Sequence, residues 1–102
     1  MGITVSLITE QGEVLEQAGD PMNHLHRFLP DVESDAYVHV NCIDWYGDTT
    51  FNRLQMPRFL QEWAKLRDQA AADGATDLHA KVAAMATRCN DEVHLYLKFQ
   101  GD

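Results

Sequence analysis

Val93-His94-Leu95-Tyr96-Leu97-Lys98-Phe99 is the stretch on which the architecture turns. Its apolar residues alternate with polar or amphipathic ones, a strand pattern, and on a helix Leu95 and Phe99 would fall on the face opposite Val93. Two other features favour a helix. Asn90-Asp91 is a thin connection with neither glycine nor proline, and Gly101 stands where a helix C-cap is expected. The balance predicts a helix that starts at Thr76, a good N-cap, and runs to about residue 99. Leu78, Val82, Met85, Cys89, Val93 and Tyr96 would form one stripe of it. Leu95 and Phe99 would form a second stripe that has to pack on a sheet or on another chain.

Before this element, Met56, Phe59, Leu60, Trp63, Leu66 and Ala70 keep the spacing of one apolar helical face, which predicts a helix over 57–72. Pro57 suits its first turn and Asp73-Gly74 ends it. Its outer face, with Arg58, Gln61, Glu62, Lys65, Arg67 and Asp68, reads as mixed-charge solvent surface. The short link to the next helix predicts an antiparallel αα-hairpin. Further upstream, Ala36-Tyr37-Val38-His39-Val40-Asn41-Cys42-Ile43 alternates as a strand. Residues 3–9 and 13–17 read as a hairpin around Gln11-Gly12. Asp20-Pro21 opens a short helix over 21–29 that would bury Met22, Leu25, Phe28 and Leu29. The expected fold is therefore α+β: a small antiparallel sheet of two or three strands packed against a C-terminal antiparallel helix pair, in one domain spanning 1–102.

A chain of 102 residues buries roughly 65% of its unfolded surface, enough to fold without covalent staples. No run of about 18 apolar residues predicts a membrane span, and the N-terminus lacks the basic and apolar regions of a secretory signal, so the expected location is cytoplasmic. Cys42 and Cys89, without metal-like spacing, read as two buried thiols. The net charge of −8 is lopsided: residues 1–48 hold nine acids against Arg27 alone, while the remainder balances. Such a field repels nucleic acid and anionic lipid and speeds encounter with a basic partner.

Asp44-Trp45-Tyr46-Gly47-Asp48-Thr49-Thr50-Phe51-Asn52-Arg53 concentrates carboxylates, hydroxyls, an amide, a guanidinium and three aromatic rings around one glycine. Asp48 is placed to cap a helical turn starting at Thr49. Asp44, Asp48 and Asn52 recur at four-residue spacing and would share a helix face, or converge from a loop on a cation or an arginine. Arg53 would pair with Asp48 or Asp44, or fork onto an external anion. Trp45 and Tyr46 offer an aromatic platform of the kind found in interaction hot spots. The histidines give no metal pattern, since His24 and His26 diverge on a short helix. His94, near Asp91 and Lys98, has no nucleophile paired with it in the sequence. Neither a metal nor a cofactor is expected.

Tyr46-Gly47-Asp48-Thr49-Thr50-Phe51-Asn52-Arg53-Leu54-Gln55 and the tail Glu92-Val93-His94-Leu95-Tyr96-Leu97-Lys98-Phe99-Gln100-Gly101-Asp102 resemble a group of small bacterial proteins with a Tyr-Gly-Asp-Thr-x-Phe-Asn-Arg segment and a His-x-Tyr-Leu tail. The resemblance carries no reaction and no ligand. It implies a free-standing bacterial domain and helical character for the tail. Tyr46-Gly47-Asp48 ahead of an amphipathic helix on an acidic domain is also similar to barstar-type inhibitors, whose order of elements differs. The resulting expectation is a non-enzymatic module, immunity- or antitoxin-like, that grips a basic protein through Asp44, Trp45, Tyr46, Asp48, Asn52 and Arg53. The alternative is a small-ligand or metal site, or a hydrolase, built from Asp44, Asp48, Asn52, Arg53 and His94. A homodimer through Leu95 and Phe99 of the C-terminal helix is the third expectation.

Overall fold

The tail is a strand. In the computed structural model, which describes residues 2–30 and 36–101, the chain forms β1 (Thr4–Thr9), β2 (Val14–Ala18), α1 (His24–Phe28), β3 (Asp48–Phe51), α2 (Met56–Ala64), α3 (Arg67–Ala72), α4 (Thr76–Asp91) and β4 (Leu95–Gln100), with single 3-10 turns at Val40–Cys42 and Arg53–Gln55. The fold is α+β, and its sheet is antiparallel with the order β2-β1-β4-β3. Among the described residues it has four strands rather than two or three. The helix pair sits between β3 and β4 instead of at the C-terminal end.

Two residues turn the tail from helix to strand. Glu92 leaves α4 with extended angles (φ −110°, ψ 142°). His94 then takes φ 67°, the left-handed region that non-glycine residues enter at a cost. From Leu95 the period becomes two: Leu95, Leu97 and Phe99 are buried, while Tyr96, Lys98 and Gln100 alternate toward solvent. Leu95 and Phe99 are 6% and 0% exposed. They pack inside the molecule rather than on the surface of a C-terminal helix. Gly101, expected as a helix cap, serves close approach instead: its N–H donates to Gly47 O at 2.7 Å, and a Cβ there would lie 2.6 Å from Trp45 O.

The hairpin expected at 3–17 is present as β1 and β2, turning at Gly12 (φ 83°) with a register shift between Leu7 and Ile8. The short helix is present but starts later. Asn23 occupies the N-cap in the left-handed region, and the buried Asp20 carboxylate reaches forward to accept from His24 N and Leu25 N, each at 2.8 Å. Pro21 lies in the turn before the helix, and Met22 is exposed.

The long helix expected over 57–72 is two. A continuous helix would send Arg67 N to the carbonyl of Trp63. That carbonyl instead accepts from Leu66 N at 3.0 Å and from His79 Nε2 at 2.7 Å. Trp63 Nε1 returns a bond to His79 O at 3.0 Å, and the two rings stack 5.2 Å apart. This reciprocal pair ties α2 to α4 inside a core that includes Val5, Leu7, Phe51, Phe59, Met85, Leu97 and Phe99. The helices cover one face of the sheet.

The strand expected at 36–43 does not form. Val40–Cys42 is a 3-10 turn, Val38 and Cys42 are exposed, and Val40 and Ile43 are buried. The cause lies in α2. Glu62, expected on the solvent face, is fully buried, and its carboxylate accepts from Val40 N at 2.9 Å, from His39 N at 3.0 Å and from Arg58 Nε at 3.0 Å. Backbone groups collected by one carboxylate are lost to any strand ladder. Both cysteines are free. Cys89 is buried and its thiol is pushed up to about 11 by burial, while Cys42 is exposed, against expectation. Among the described residues, no helix is long and apolar enough to cross a membrane.

Candidate functional site

The segment from Asp44 to Arg53 leaves the loop that the sequence suggested and becomes one edge of the sheet. Asp44 spends its carboxylate locally: Oδ1 accepts from Tyr46 N at 2.9 Å, while its own N–H donates to Thr49 Oγ1 at 2.8 Å. This turn shapes the approach to β3, and Gly47 packs closely against it, its Cα side within reach of the Asp44 carboxylate. Trp45 is half-buried and meets His26 of α1 edge-on at 4.9 Å. Tyr46 is 83% exposed.

Asp48 does not cap a helix. It opens β3, and its carboxylate lies 3.4 Å from Lys98 Nζ on the neighbouring β4. The cap belongs to Asn52, whose Oδ1 accepts from Gln55 N at 3.3 Å while Gln55 Oε1 accepts from Asn52 N at 2.8 Å, a capping box at the Arg53–Gln55 turn. Arg53 pairs with neither Asp44 nor Asp48. Its Nε donates to Asn90 O at 3.3 Å, in the last turn of α4, where a cation complements the helix carbonyls. Because 48–51 is extended, Asp44, Asp48 and Asn52 share no helical face.

The suspected site is thus split between the two ends of β3. Asp44, Trp45, Tyr46 and Asp48 lie at the end that pairs with Gln100; Asn52 and Arg53 lie at the end past the Phe51–Leu97 pair. At this second end the chain gathers Glu10, Asn52, Arg53, Leu54, Val93, His94, Leu95 and Tyr96 around a groove of about 340 Å³. His94, expected in a ligand site with Asp44, Asp48, Asn52 and Arg53, lines this groove with Asn52 and Arg53 but without the two aspartates. Its Nδ1 lies 2.6 Å from Glu10 Oε1, just past the Thr9–Leu95 pair of β1 and β4. Leu54 is 83% exposed and Val93 60%.

The edge itself follows from the ladder. Gly101 N–H bonds to Gly47 O, in register with the β3–β4 pairs, so Thr49 and Phe51 face β4 in the alternation of an antiparallel ladder. Asp48 and Thr50 then turn their peptide N–H and C=O groups outward. Among the described residues, no backbone group pairs with that side.

A second polar cluster joins α1 to the α3–α4 turn. Asp73 Oδ1 lies 2.8 Å from Arg27 Nε and Oδ2 lies 2.8 Å from His24 Nδ1. The Arg27 guanidinium and then the His24 imidazole hold the Asp73 carboxyl below its usual range. Arg27 also donates to Met22 O at 2.9 Å. Asp73, Arg27, Tyr37 and Gln69 line a shallow groove of about 560 Å³. Sequence reasoning missed this cluster because its members are 46 and 49 residues apart. Among the described residues no group of histidines, cysteines and acids is arranged to hold a metal ion.

No protein family matches the chain, and no curated protein or solved structure is significantly similar to it.

Proposed function

We propose that this protein is a non-enzymatic binding module that takes an extended, basic segment of a partner protein along β3. One observation carries the reading. Tyr46 and Leu54, the most exposed large apolar side chains of the described residues, flank the two ends of the strand whose Asp48 and Thr50 peptide groups face outward. An unpaired strand edge is a template for a further strand, with main-chain bonds giving affinity and flanking side chains giving choice. Charge selects the partner's sign. Asp44 and Asp48 stand at the Tyr46 end, and residues 1–48 hold the whole excess of negative charge.

Thr50→Pro tests this directly. The substitution removes an N–H that points away from β4, and edge positions of that kind tolerate proline, so the sheet is kept. An alternating Lys-Val peptide should bind the wild type. Thr50→Pro, and Tyr46→Ala combined with Leu54→Ala, should each weaken it about tenfold or more in fluorescence anisotropy. A matched Glu-Val peptide should not bind. Equal affinity of wild type and Thr50→Pro for the basic peptide would refute strand addition. A wild-type dimer in light scattering that Thr50→Pro abolishes would make the occupant a second copy, and would overturn the basic-partner reading.

A further inference from the structure

We infer that the groove between the β1–β2 turn, the Arg53–Gln55 turn and the 92–94 link is a binding site for a small monocarboxylate with a branched apolar body, with Arg53 as the group that receives the carboxylate. The inference stands apart from strand addition at β3, since it rests on the groove and its charge. The volume of about 340 Å³ falls in the range of ligand sites, about 300–1,000 Å³.

Arg53 enters the groove already oriented. Its Nε is committed to Asn90 O, which leaves the two terminal nitrogens free to fork onto a carboxylate in the bidentate geometry. Among the described residues it forms no ion pair, unlike Arg27, Arg58, Arg67 and Arg88. The carboxylate that lines the groove, Glu10, lies 2.6 Å from His94 Nδ1 and makes no ion pair with Arg53. The guanidinium is therefore the charged group of the groove that has no ion-pair partner among the described residues.

Apolar surface completes the site. Leu54 and Val93 are more than half exposed there, and Leu95 and Tyr96 line the groove beside them. The backbone is held here at a cost, because His94 takes a left-handed conformation between the exposed Val93 and the start of β4. Residues kept in sparsely populated conformations tend to mark sites where geometry is used. Anion and apolar body together specify the ligand class: a phosphate satisfies the arginine alone, and a neutral amide satisfies the leucine and valine alone.

The test is a titration of the full chain with 4-methylpentanoate, followed by amide chemical shifts, with 4-methylpentanamide and inorganic phosphate as comparators. The expected result is saturable shifts confined to residues 10, 52–54 and 93–96, with half-saturation around millimolar for so small a ligand. Arg53→Gln and the amide should each weaken binding about tenfold or more, the variant's own spectrum confirming its fold. Shifts that never saturate, or that fall elsewhere, would overturn the site. Binding of the amide as tight as the acid would overturn the role of Arg53 without touching a variant. Phosphate binding as tight as 4-methylpentanoate would overturn the apolar half of the assignment.

Discussion

Glu62 has no solvent exposure, yet it carries a carboxylate, and the company it keeps explains how. The N–H groups of His39 and Val40 and the guanidinium of Arg58 supply the hydrogen bonds that water would have given. The debt runs both ways, because those backbone groups depend on Glu62 as their acceptor. Glu62→Ala should therefore cost on the order of 3 kcal/mol in urea unfolding, well beyond the loss of one ordinary hydrogen bond. Glu62→Gln, which keeps one acceptor oxygen, should lose less. A cost of Glu62→Ala below about 1 kcal/mol would show that the 39–42 turn holds itself. At this scale the sequence was least legible. Nothing local to residues 36–43 announces that an acid more than twenty positions later will take their N–H groups. Alternation alone reads them as a strand.

Among the α-helices of the described residues, α1 is the shortest: five residues, capped from outside by Asp20 and stitched to the α3–α4 turn by Asp73. That stitch is pH-dependent. Arg27 and His24 hold the folded-state carboxyl below its ordinary value, so the unfolded chain takes up a proton first as pH falls. The contribution of Asp73 is complete above the usual carboxylate range and fades as pH falls through the depressed folded-state value. Urea midpoints of wild type and Asp73→Asn should differ at pH 7 and converge toward pH 3. A gap that stays constant over that range would remove Asp73 ionisation from the account. The elements with strong local periodicity, the β1–β2 hairpin and the apolar stripes of α2 and α4, were readable from the chain. The tail was not, because its switch from helix to strand lies in the backbone of His94, a residue type that gives no warning of a positive φ. The candidate segment was half readable. The concentration of exposed and polar groups at 44–53 was apparent, but not that a strand would run through its middle and pull Asp48 away from Arg53.

For the whole molecule, the placement of β4 between β1 and β3 decides cohesion. Among the described residues it is the only strand that joins the N-terminal hairpin to the rest of the sheet, and its Leu95, Leu97 and Phe99 lie in the core. A chain cut after His94 should lose its fold altogether rather than fray, with a far-UV spectrum of an unfolded chain and no cooperative melt. A cooperative transition in that truncated chain would show that the helices and hairpin cohere without their central strand.

The same placement governs the order of events during synthesis. Thr4 has Gln100 as its partner, so the pairing that closes the sheet joins residues near opposite ends of the described chain. Contacts of such long range must overcome loop-closure entropy before they return any stability, and they slow folding. While the ribosome is still adding residues up to His94, β1 has β2 on one side and nothing on the other. Until β4 is made, the nascent chain therefore carries a ready strand edge beside Val5 and Leu7, both of which the finished fold hides completely. That interval, rather than the finished surface, is when the chain most needs an escort.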